Sequence, residues 1–235
     1  MTVKKIAIMQ PYFFPYIGYF QLINTVDKFV FYDDVNFIKG GFVNRNSILL
    51  GNKSLRINVM LKKASSFKKI NEITINNQIN WQKKLLKQIS QSYSKAPQFD
   101  VIYNLIEKII LNKEECLSGF LKQGIVQVCN YLDIETEIIN SSKIYENKEL
   151  KGKERIFDIC KQERSSHYFN AIGGIALYDK QEFLNESIKL DFLKTGEIKY
   201  AQFANTFVPN LSIIDVLMFN SKVDVQKMLL NYKLS

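Results

Sequence analysis

The sequence has little of several residues on which common catalytic and metal sites depend. Its 235 residues include three cysteines, one histidine and one tryptophan. Cys116, Cys129 and Cys160 show no spacing typical of a metal-ligand set, so we expect free, buried thiols in a reducing compartment. A single histidine without clustered thiols or carboxylates leaves no closed set of metal ligands. We therefore expect no protein-bound metal, and the sequence does not identify a cofactor.

Long apolar runs are also absent. No stretch approaches the roughly 18 consecutive apolar residues of a membrane-spanning helix, and the apolar run after Lys5 is too short for a secretory signal. We expect a cytoplasmic protein without a transmembrane segment. With 46% hydrophobic and 23% charged residues, the chain has the composition of a globular protein that can bury a substantial core.

Acidic residues are scarce in one part of the chain. Residues 39–99, the basic segment, hold twelve Lys and Arg residues but one acid, Glu72, which gives the segment a formal charge of +11 and leaves −2 on the remainder. Such a segment suits a phosphate-bearing partner: a nucleotide, a nucleotide-sugar, RNA or an anionic membrane. Solvated lysines without any partner are the other explanation, and composition does not choose between them.

The order of predicted elements indicates an α/β fold. A strand over 4–9, a helix after Pro15 and a strand from Asp27 form a βαβ unit. A hairpin is predicted over 47–61, with its turn at Gly51-Asn52. The other predicted elements are helices over 81–93, 101–112, 118–132 and 153–162, strands over 134–139 and 187–193, a strand that runs into a glycine turn over 166–174, and two terminal helices. We interpret residues 1–235 as a single domain with a mostly helical insertion at about 81–132.

The stretch "MQPYFFPYIGYFQLI" (9–23) is the best candidate for a ligand site. It follows the first strand, where α/β sheets bind ligands, and leads into a helix whose backbone N–H groups can bind anions. The turn resembles the histidine-glycine-histidine turn of the nucleotidyltransferase and class I synthetase superfamily, although Tyr16 and Tyr19 stand in place of the histidines. A core plug of aromatic side chains is the structural alternative. The candidate binding residues here are Gln10, Tyr12, Tyr16, Gly18 and Tyr19.

A second polar stretch, "YDDVNFIKGGFVNRN" (32–46), follows the second strand. Successive strand residues point to opposite faces, so only one of Asp33 and Asp34 can face a pocket there. One of them could act as a base or bind an amine; a helix cap or loop brace is the structural alternative. The loop adds candidates for phosphate and hydroxyl contacts, namely Lys39, Asn44, Arg45 and Asn46.

Fewer candidates lie in the second half of the chain. His167 is the single histidine and has no Ser-His-Asp or Cys-His pattern around it, so either a chemical or a structural role is open. The stretch that follows it predicts a second ligand-lining loop, with Asn170, Gly173, Gly174 and Tyr178. Gln202 is a further polar candidate near the C-terminal helices.

Four blocks together resemble the WbqC-like family across nearly the whole chain. They are "IAIMQPYFFPYIGYFQLI", "DDVNFIKGGFVNRN", "HYFNAIGGIALYD" and "YAQF" with "PNLSIIDVLMFN". The element order predicts an α/β fold with a Rossmann-like parallel sheet at the core, a mostly helical insertion and C-terminal helices. The resemblance implies that the protein is encoded among bacterial O-antigen and surface-polysaccharide genes. It implies modification of a nucleotide-linked amino sugar, by acyl or aminoacyl transfer to its amine from an activated donor.

A mechanism follows from this resemblance and the local chemistry. Lys39 and Arg45 would hold the diphosphate, while Tyr12, Tyr16 and Asn44 hold the sugar or base. Asp34 or His167 would remove the amine proton, and backbone N–H groups near Gly173 and Gly174 would stabilise the oxyanion.

Two alternatives stay open. One is an aminoacyl-tRNA-dependent transferase that binds RNA through residues 39–99. The other is a non-catalytic assembly protein of the polysaccharide machinery. The sugar, the donor and the oligomeric state are not predicted from the sequence.

Overall fold

The computed structural model describes residues 4–204 and 206–235. Its strands are β1 (Lys5–Met9), β2 (Lys28–Phe31), β3 (Arg45–Leu50), β4 (Lys53–Asn58), β5 (Leu61–Lys62), β6 (Thr74–Ile75), β7 (Glu137–Ile139), β8 (His167–Ala171), β9 (Lys189–Thr195) and β10 (Tyr232–Leu234). Its helices are α1 (Ile17–Thr25), α2 (Trp81–Tyr93), α3 (Phe99–Ile110), α4 (Leu117–Tyr131), α5 (Gly152–Gln162), α6 (Lys180–Asn185), α7 (Ile213–Phe219) and α8 (Lys222–Leu229).

A six-stranded, mostly parallel sheet forms the centre, in the order β10-β9-β8-β1-β2-β7. In the central strand β1, Ala7 lies opposite Phe29 of β2 and Phe169 of β8, and both neighbours are parallel to β1. Only β10 runs antiparallel, beside β9. The chain winds from β1 towards β7 and then returns to β8 and β9. The reversal between β1 and β8 places the expected ligand crevice outside the carboxyl ends of these strands.

Both faces of the sheet are covered, which explains why β1 is apolar without alternation. On one face, Ile6 and Ile8 belong to an apolar cluster with Phe157 of α5 and Phe183 of α6. On the other face, Ala7 belongs to the larger cluster, to which helices α1, α4, α7 and α8 also contribute. The α/β class with a Rossmann-like sheet is therefore confirmed.

Most predicted elements form close to their expected positions. Helix α2 has the predicted ends, and the hairpin β3–β4 turns at Gly51, whose φ of 58° suits glycine. Strand β7 begins at Glu137, three residues later than predicted, because the preceding residues close the end of α4. Asp133 there is left-handed (φ 56°) and the Ile134 N–H donates to the Cys129 carbonyl at 3.0 Å.

Helices α2, α3 and α4 lie between β2 and β7 in the chain, where an insertion was expected. The interpretation of the whole chain as one domain with a helical insertion stays a prediction. The strand β10 was not predicted. Across residues 4–204 and 206–235, each helix is too short or too polar to cross a bilayer.

Candidate functional site

The turn between β1 and α1 is strained and held from two sides. Phe14 adopts a left-handed backbone (φ 41°), which is uncommon for an aromatic residue and costs on the order of 1–3 kcal/mol. The side-chain amide of Asn46 donates to the Phe14 carbonyl at 2.7 Å, and the Ser212 hydroxyl donates to the same oxygen at 2.8 Å. The side-chain amide of Asn46 therefore has a structural role in holding this turn.

Helix α1 begins without a side-chain cap. Its N-cap residue is Tyr16, whose side chain makes no capping hydrogen bond, and no acidic residue lies in the first turn. The first N–H groups of a helix need partners, and they carry a partial positive charge. Gly18 is buried under the Tyr16 ring and the Thr195 hydroxyl, which occupy the space of any Cβ atom at this position.

A cavity of about 430 Å³, the α1 cavity, opens at this helix start. Its volume lies in the range of small-molecule sites. The Thr195 hydroxyl is buried and has no hydrogen-bond partner among the described residues. Glu197 and Lys199 form an exposed ion pair on its wall. The lining residues are Tyr16, Ile17, Thr195, Gly196, Glu197, Ile198, Lys199, Tyr200, Phe207, Pro209, Asn210, Leu211 and Val216.

The other polar residues of the first block are mostly structural. The Tyr19 hydroxyl donates to the Gln10 carbonyl at 2.9 Å, and burial raises the pKa of Tyr19 well above its ordinary value. Tyr12 packs on Tyr19 and on Phe42, with ring centroids 5.7 and 6.4 Å apart. The side-chain oxygen of Gln10 is buried and has no partner among the described residues. Of these three side chains, Gln10 is therefore the one with a buried polar atom that has no hydrogen-bond partner among the described residues.

Asp33 and Asp34 point apart, as expected for neighbours at a strand end. Asp33 accepts hydrogen bonds from Ser118 (2.7 Å), Lys122 (2.8 Å) and Ser141 (2.6 Å). These donors tie the end of β2 to α4 and to the segment after β7.

Asp34 pairs with an arginine that the sequence analysis missed. Arg155 of α5 donates to Asp34 at 2.6 Å, and Ser142 donates to the other carboxylate oxygen. Burial acts to raise the pKa of Asp34, but Arg155 and Ser142 outweigh it and hold the pKa below its ordinary value. A carboxylate of lowered pKa with both oxygens engaged is a weak base. The geometry favours Asp34 as a positioning group for Arg155, which also stacks 5.0 Å from the Tyr32 ring.

A second cavity, the Asp34 cavity, has a volume of about 640 Å³. Its wall carries both charge signs, and the lining residues are Asp34, Lys69, Asn71, Glu72, Lys143, Glu146, Asn147 and Lys148. Solvent screens these charges, and because both signs are present the wall does not favour a ligand of either charge sign.

The predicted loop after β8 lies at the same edge of the sheet. Asn170 donates to the Tyr168 hydroxyl at 3.1 Å, and buried Gly174 packs against the Asn170 amide. Tyr178 packs edge-on against Tyr168, with centroids 6.1 Å apart. Gly173 is exposed, and no atom of the described residues lies within 4 Å of the position that a Cβ atom would take. These residues form a small polar layer beyond β8.

His167 lies at the opposite edge of the sheet. It is the first residue of β8 and is level with Lys5, the first residue of β1. Its ring nitrogen lies 2.8 Å from Asp191, and burial lowers the pKa of His167 although Asp191 opposes this effect. Asp34 follows the carboxyl end of β2, so the two proposed proton acceptors do not share one site.

Lys39 and Arg45 line a third cavity, the basic cavity, of about 360 Å³. Arg56 lies on the same wall, and Asn44 donates to the Val59 carbonyl at 3.1 Å. Tyr16 is not part of this lining. The structure therefore does not bring the expected diphosphate-binding residues into the cavity at the start of α1.

Gln202 donates a hydrogen bond to a buried carboxylate of α7. Asp215 of α7 accepts hydrogen bonds from Gln202 (2.7 Å), Tyr200 (2.6 Å) and Tyr93 (2.7 Å). Burial raises the pKa of Asp215, although these three hydrogen bonds act to lower it. This network fastens one wall of the α1 cavity to the hairpin, since Tyr93 also accepts from the Leu49 N–H at 2.8 Å.

Two of the three cysteine side chains are buried, whereas Cys116 is half-buried. Cys116, Cys129 and Cys160 are free, and burial raises the pKa of both Cys129 and Cys160 to about 12. Thiols with raised pKa are poor nucleophiles. In the described part of the chain, no three His, Cys, Asp or Glu side chains are grouped to hold a metal ion.

Two residues of these sites escaped sequence reasoning for different reasons. Thr195 ends β9, so the rule that polar residues after parallel strands meet at one edge could have found it. Arg155 lies inside a helix 121 residues from Asp34, and no local signal marks it.

The fold and these cavities define an α/β protein with candidate ligand sites along the carboxyl edge of a Rossmann-like sheet. The chain belongs to the WbqC-like protein family, whose model matches residues 10–227. It is 31% identical over 222 residues to the uncharacterized protein Rv1507c of Mycobacterium tuberculosis, an alignment that covers 93% of this chain and 94% of that protein. No solved structure matches the chain.

Proposed function

We propose that this protein binds a nucleotide-linked amino sugar and transfers an acyl or aminoacyl group to its amine during the synthesis of a surface polysaccharide. Membership of the WbqC-like family supports the general setting. The resemblance of the four sequence blocks supplies the substrate class.

The α1 cavity is the observation that carries the proposal. Among the residues that the structure describes, it combines a helix start without a side-chain cap, a buried threonine hydroxyl without a hydrogen-bond partner and a lysine on its wall. A diphosphate meets all three requirements, because helix N–H groups, a hydroxyl and an ammonium all bind phosphate oxygens. The strained turn before α1 supports the assignment, since strain is retained where the surrounding structure holds a binding geometry.

The same cavity suits a sugar amine. Glu197 offers a carboxylate to the ammonium form, while Lys199 faces the phosphates. In the transfer step the neutral amine attacks the donor carbonyl, the C–N bond forms, the bond to the donor's leaving group breaks, and the amine loses a proton. Because Lys199 lowers the pKa of Glu197, Glu197 is a weak base, and its role in this proposal is to hold the amine. Solvent accepts the proton, and Asp34 and His167 take no part.

The test is thermal unfolding of the full chain with UDP, dTDP, the matching nucleosides and coenzyme A. A diphosphate present at a hundredfold its dissociation constant should stabilise the protein by about 2.7 kcal/mol, which raises the melting temperature of a chain this long by roughly 5–10 °C. The nucleosides lack the diphosphate and should have much less effect. Equal stabilisation by nucleosides, or none by any nucleotide, would contradict the proposed site.

Catalysis is tested separately with a dTDP-linked amino sugar and an activated acyl donor. Glu197→Gln removes the charge that holds the amine, so it should raise the KM for the amino sugar while the diphosphate still stabilises the variant. Binding without turnover by the unmodified protein would keep the ligand assignment and overturn the transfer step.

A further inference from the structure

Four large apolar side chains are exposed on one pair of loops. Phe67 is 92% exposed, and Ile38, Phe42 and Met60 are exposed by 54%, 63% and 38%. Single exposed apolar residues are ordinary, but a group of them marks an interaction surface. We call this surface, formed by residues 38–42 and 60–68, the loop face.

Backbone contacts bring the two loops together. The Phe37 N–H donates to the Lys68 carbonyl at 2.9 Å, and Asn36 pairs with Lys69 in an antiparallel bridge. The basic cavity lies between the loops, with Lys39 on one wall and Met60 on another. The loop face is thus one continuous surface.

The cations around this face have no ion-pair partner among the described residues. Among the described residues, none of the twelve Lys and Arg side chains of the basic segment forms an ion pair, whereas Lys28, Lys122 and Arg155 elsewhere do. Lys62, Lys63 and Lys68 are exposed close to Phe67 in the chain. A surface with unpaired cations and exposed apolar side chains needs an occupant that is both anionic and apolar.

We propose that the loop face docks on an anionic lipid bilayer. Phe67 and its apolar neighbours enter the boundary between headgroups and acyl chains, and the lysines contact the headgroups. Lys39, Arg45 and Arg56 of the basic cavity take up a headgroup phosphate. RNA matches the charge, but the aliphatic side chains of Ile38 and Met60 cannot stack on bases as aromatic rings do. This proposal is independent of the ligand in the α1 cavity.

Vesicle sedimentation tests the proposal with the full chain. The protein should bind vesicles that contain phosphatidylglycerol and not vesicles of phosphatidylcholine alone. Phe67→Ala should weaken binding about tenfold, and the Lys62→Gln/Lys63→Gln/Lys68→Gln variant on the order of a hundredfold, at about fivefold for each lysine. These side chains are exposed, so folding should be unaffected, which circular dichroism checks.

Two matched variants control for charge and apolarity alone. Lys83→Gln/Lys84→Gln/Lys87→Gln removes the same charge from α2, and Leu230→Ala removes an apolar side chain that is 69% exposed. Both should bind vesicles nearly as the unmodified protein does. Equal losses in the control and loop-face variants would overturn the proposal, as would an absence of vesicle binding.

Fluorescence separates a bilayer from RNA. Trp81 is the only tryptophan and is buried, so Phe67→Trp adds one exposed reporter. Anionic vesicles should shift its emission to shorter wavelength. If tRNA binds more tightly than vesicles and quenches this tryptophan by stacking, the face is an RNA surface and the lipid proposal is wrong.

Discussion

Polar side chains at the carboxyl edge of the sheet differ in their hydrogen bonding between the β2 side and the β9 side of that edge. Beyond β2, the carboxylates of Asp33 and Asp34 have partners on both oxygens. Beyond β9, the Thr195 hydroxyl has no partner among the described residues, and the nearby start of α1 has no cap. Buried polar groups are costly when unpaired. The β2 side, with Asp33 and Asp34, therefore stabilises the fold, and we call it the saturated end. We call the β9 side, with Thr195 and the start of α1, the unsaturated end, and we expect a ligand there.

The largest effect should come from breaking the saturated end. Arg155→Met leaves the buried carboxylate of Asp34 without its cationic partner, and we expect a loss of about 3–5 kcal/mol in the free energy of unfolding, measured in urea. Lys161→Met is the matched control, because it breaks an exposed pair with Glu186 that contributes little. A small effect of Arg155→Met would mean that water replaces the guanidinium and that this end is not a closed scaffold.

A smaller loss should come from filling the unsaturated end. Gly18→Ala places a methyl group where the Tyr16 ring and the Thr195 hydroxyl lie, which should cost about 1–3 kcal/mol of unfolding free energy and weaken diphosphate binding. Gly173→Ala is the control for stability, since its Cβ atom would meet open space. If both substitutions cost the same, the close packing over Gly18 is not what requires glycine there.

Acid should weaken the saturated end selectively. The pKa of Asp34 in the folded protein lies below its ordinary value of 3.8, so the stability that its ionised form contributes is present above pH 3.8 and is lost as the pH falls through the folded pKa. Asp34→Asn cannot lose this contribution. The difference in unfolding free energy between Asp34→Asn and the unmodified protein should therefore narrow below about pH 4, as urea titrations across pH can show.

The smallest expected effect on stability comes from removing the Thr195 hydroxyl, and it tests directly whether the unsaturated end lacks a hydrogen-bond partner. Thr195→Val removes a hydroxyl that has no hydrogen-bond partner within residues 4–204 and 206–235. Stability should therefore stay the same or rise by up to about 1 kcal/mol, while diphosphate binding weakens. Thr136→Val removes a hydroxyl that donates to the Ile23 carbonyl at 2.8 Å and should cost about 0.5–1.5 kcal/mol. Destabilisation by both variants would show that Thr195 has a structural partner in solution.

Local sequence was sufficient for much of the fold. The apolar run of β1, the helical spacing of α2 and the Gly51 turn of the hairpin all depend on neighbours in the chain. The same holds for the expectation that residues after β1 and β2 meet at one edge. The sequence also contained the information that His167 lies away from the carboxyl edge of the sheet. The histidine begins the strand "HYFNA", whereas the carboxyl edge is formed where the parallel strands end.

The three-residue strand β10 could not be predicted in this way. It is too short to have a pattern of its own, and its backbone hydrogen bonds with β9 exist only once that edge has formed.

The sequence by itself determined the α/β class, the order of the main elements and which polar residues follow the strands, because these depend on periodicity and on short-range backbone preference. Only the tertiary structure decided which of those side chains are already hydrogen-bonded within the protein. Asp34 pairs with Arg155, which lies 121 residues away in the chain. The side-chain amide of Asn46 donates to the Phe14 carbonyl, whereas the Thr195 hydroxyl has no partner among the described residues. Hydrogen-bond saturation is a property of neighbours in space, and no pattern along the chain encodes it.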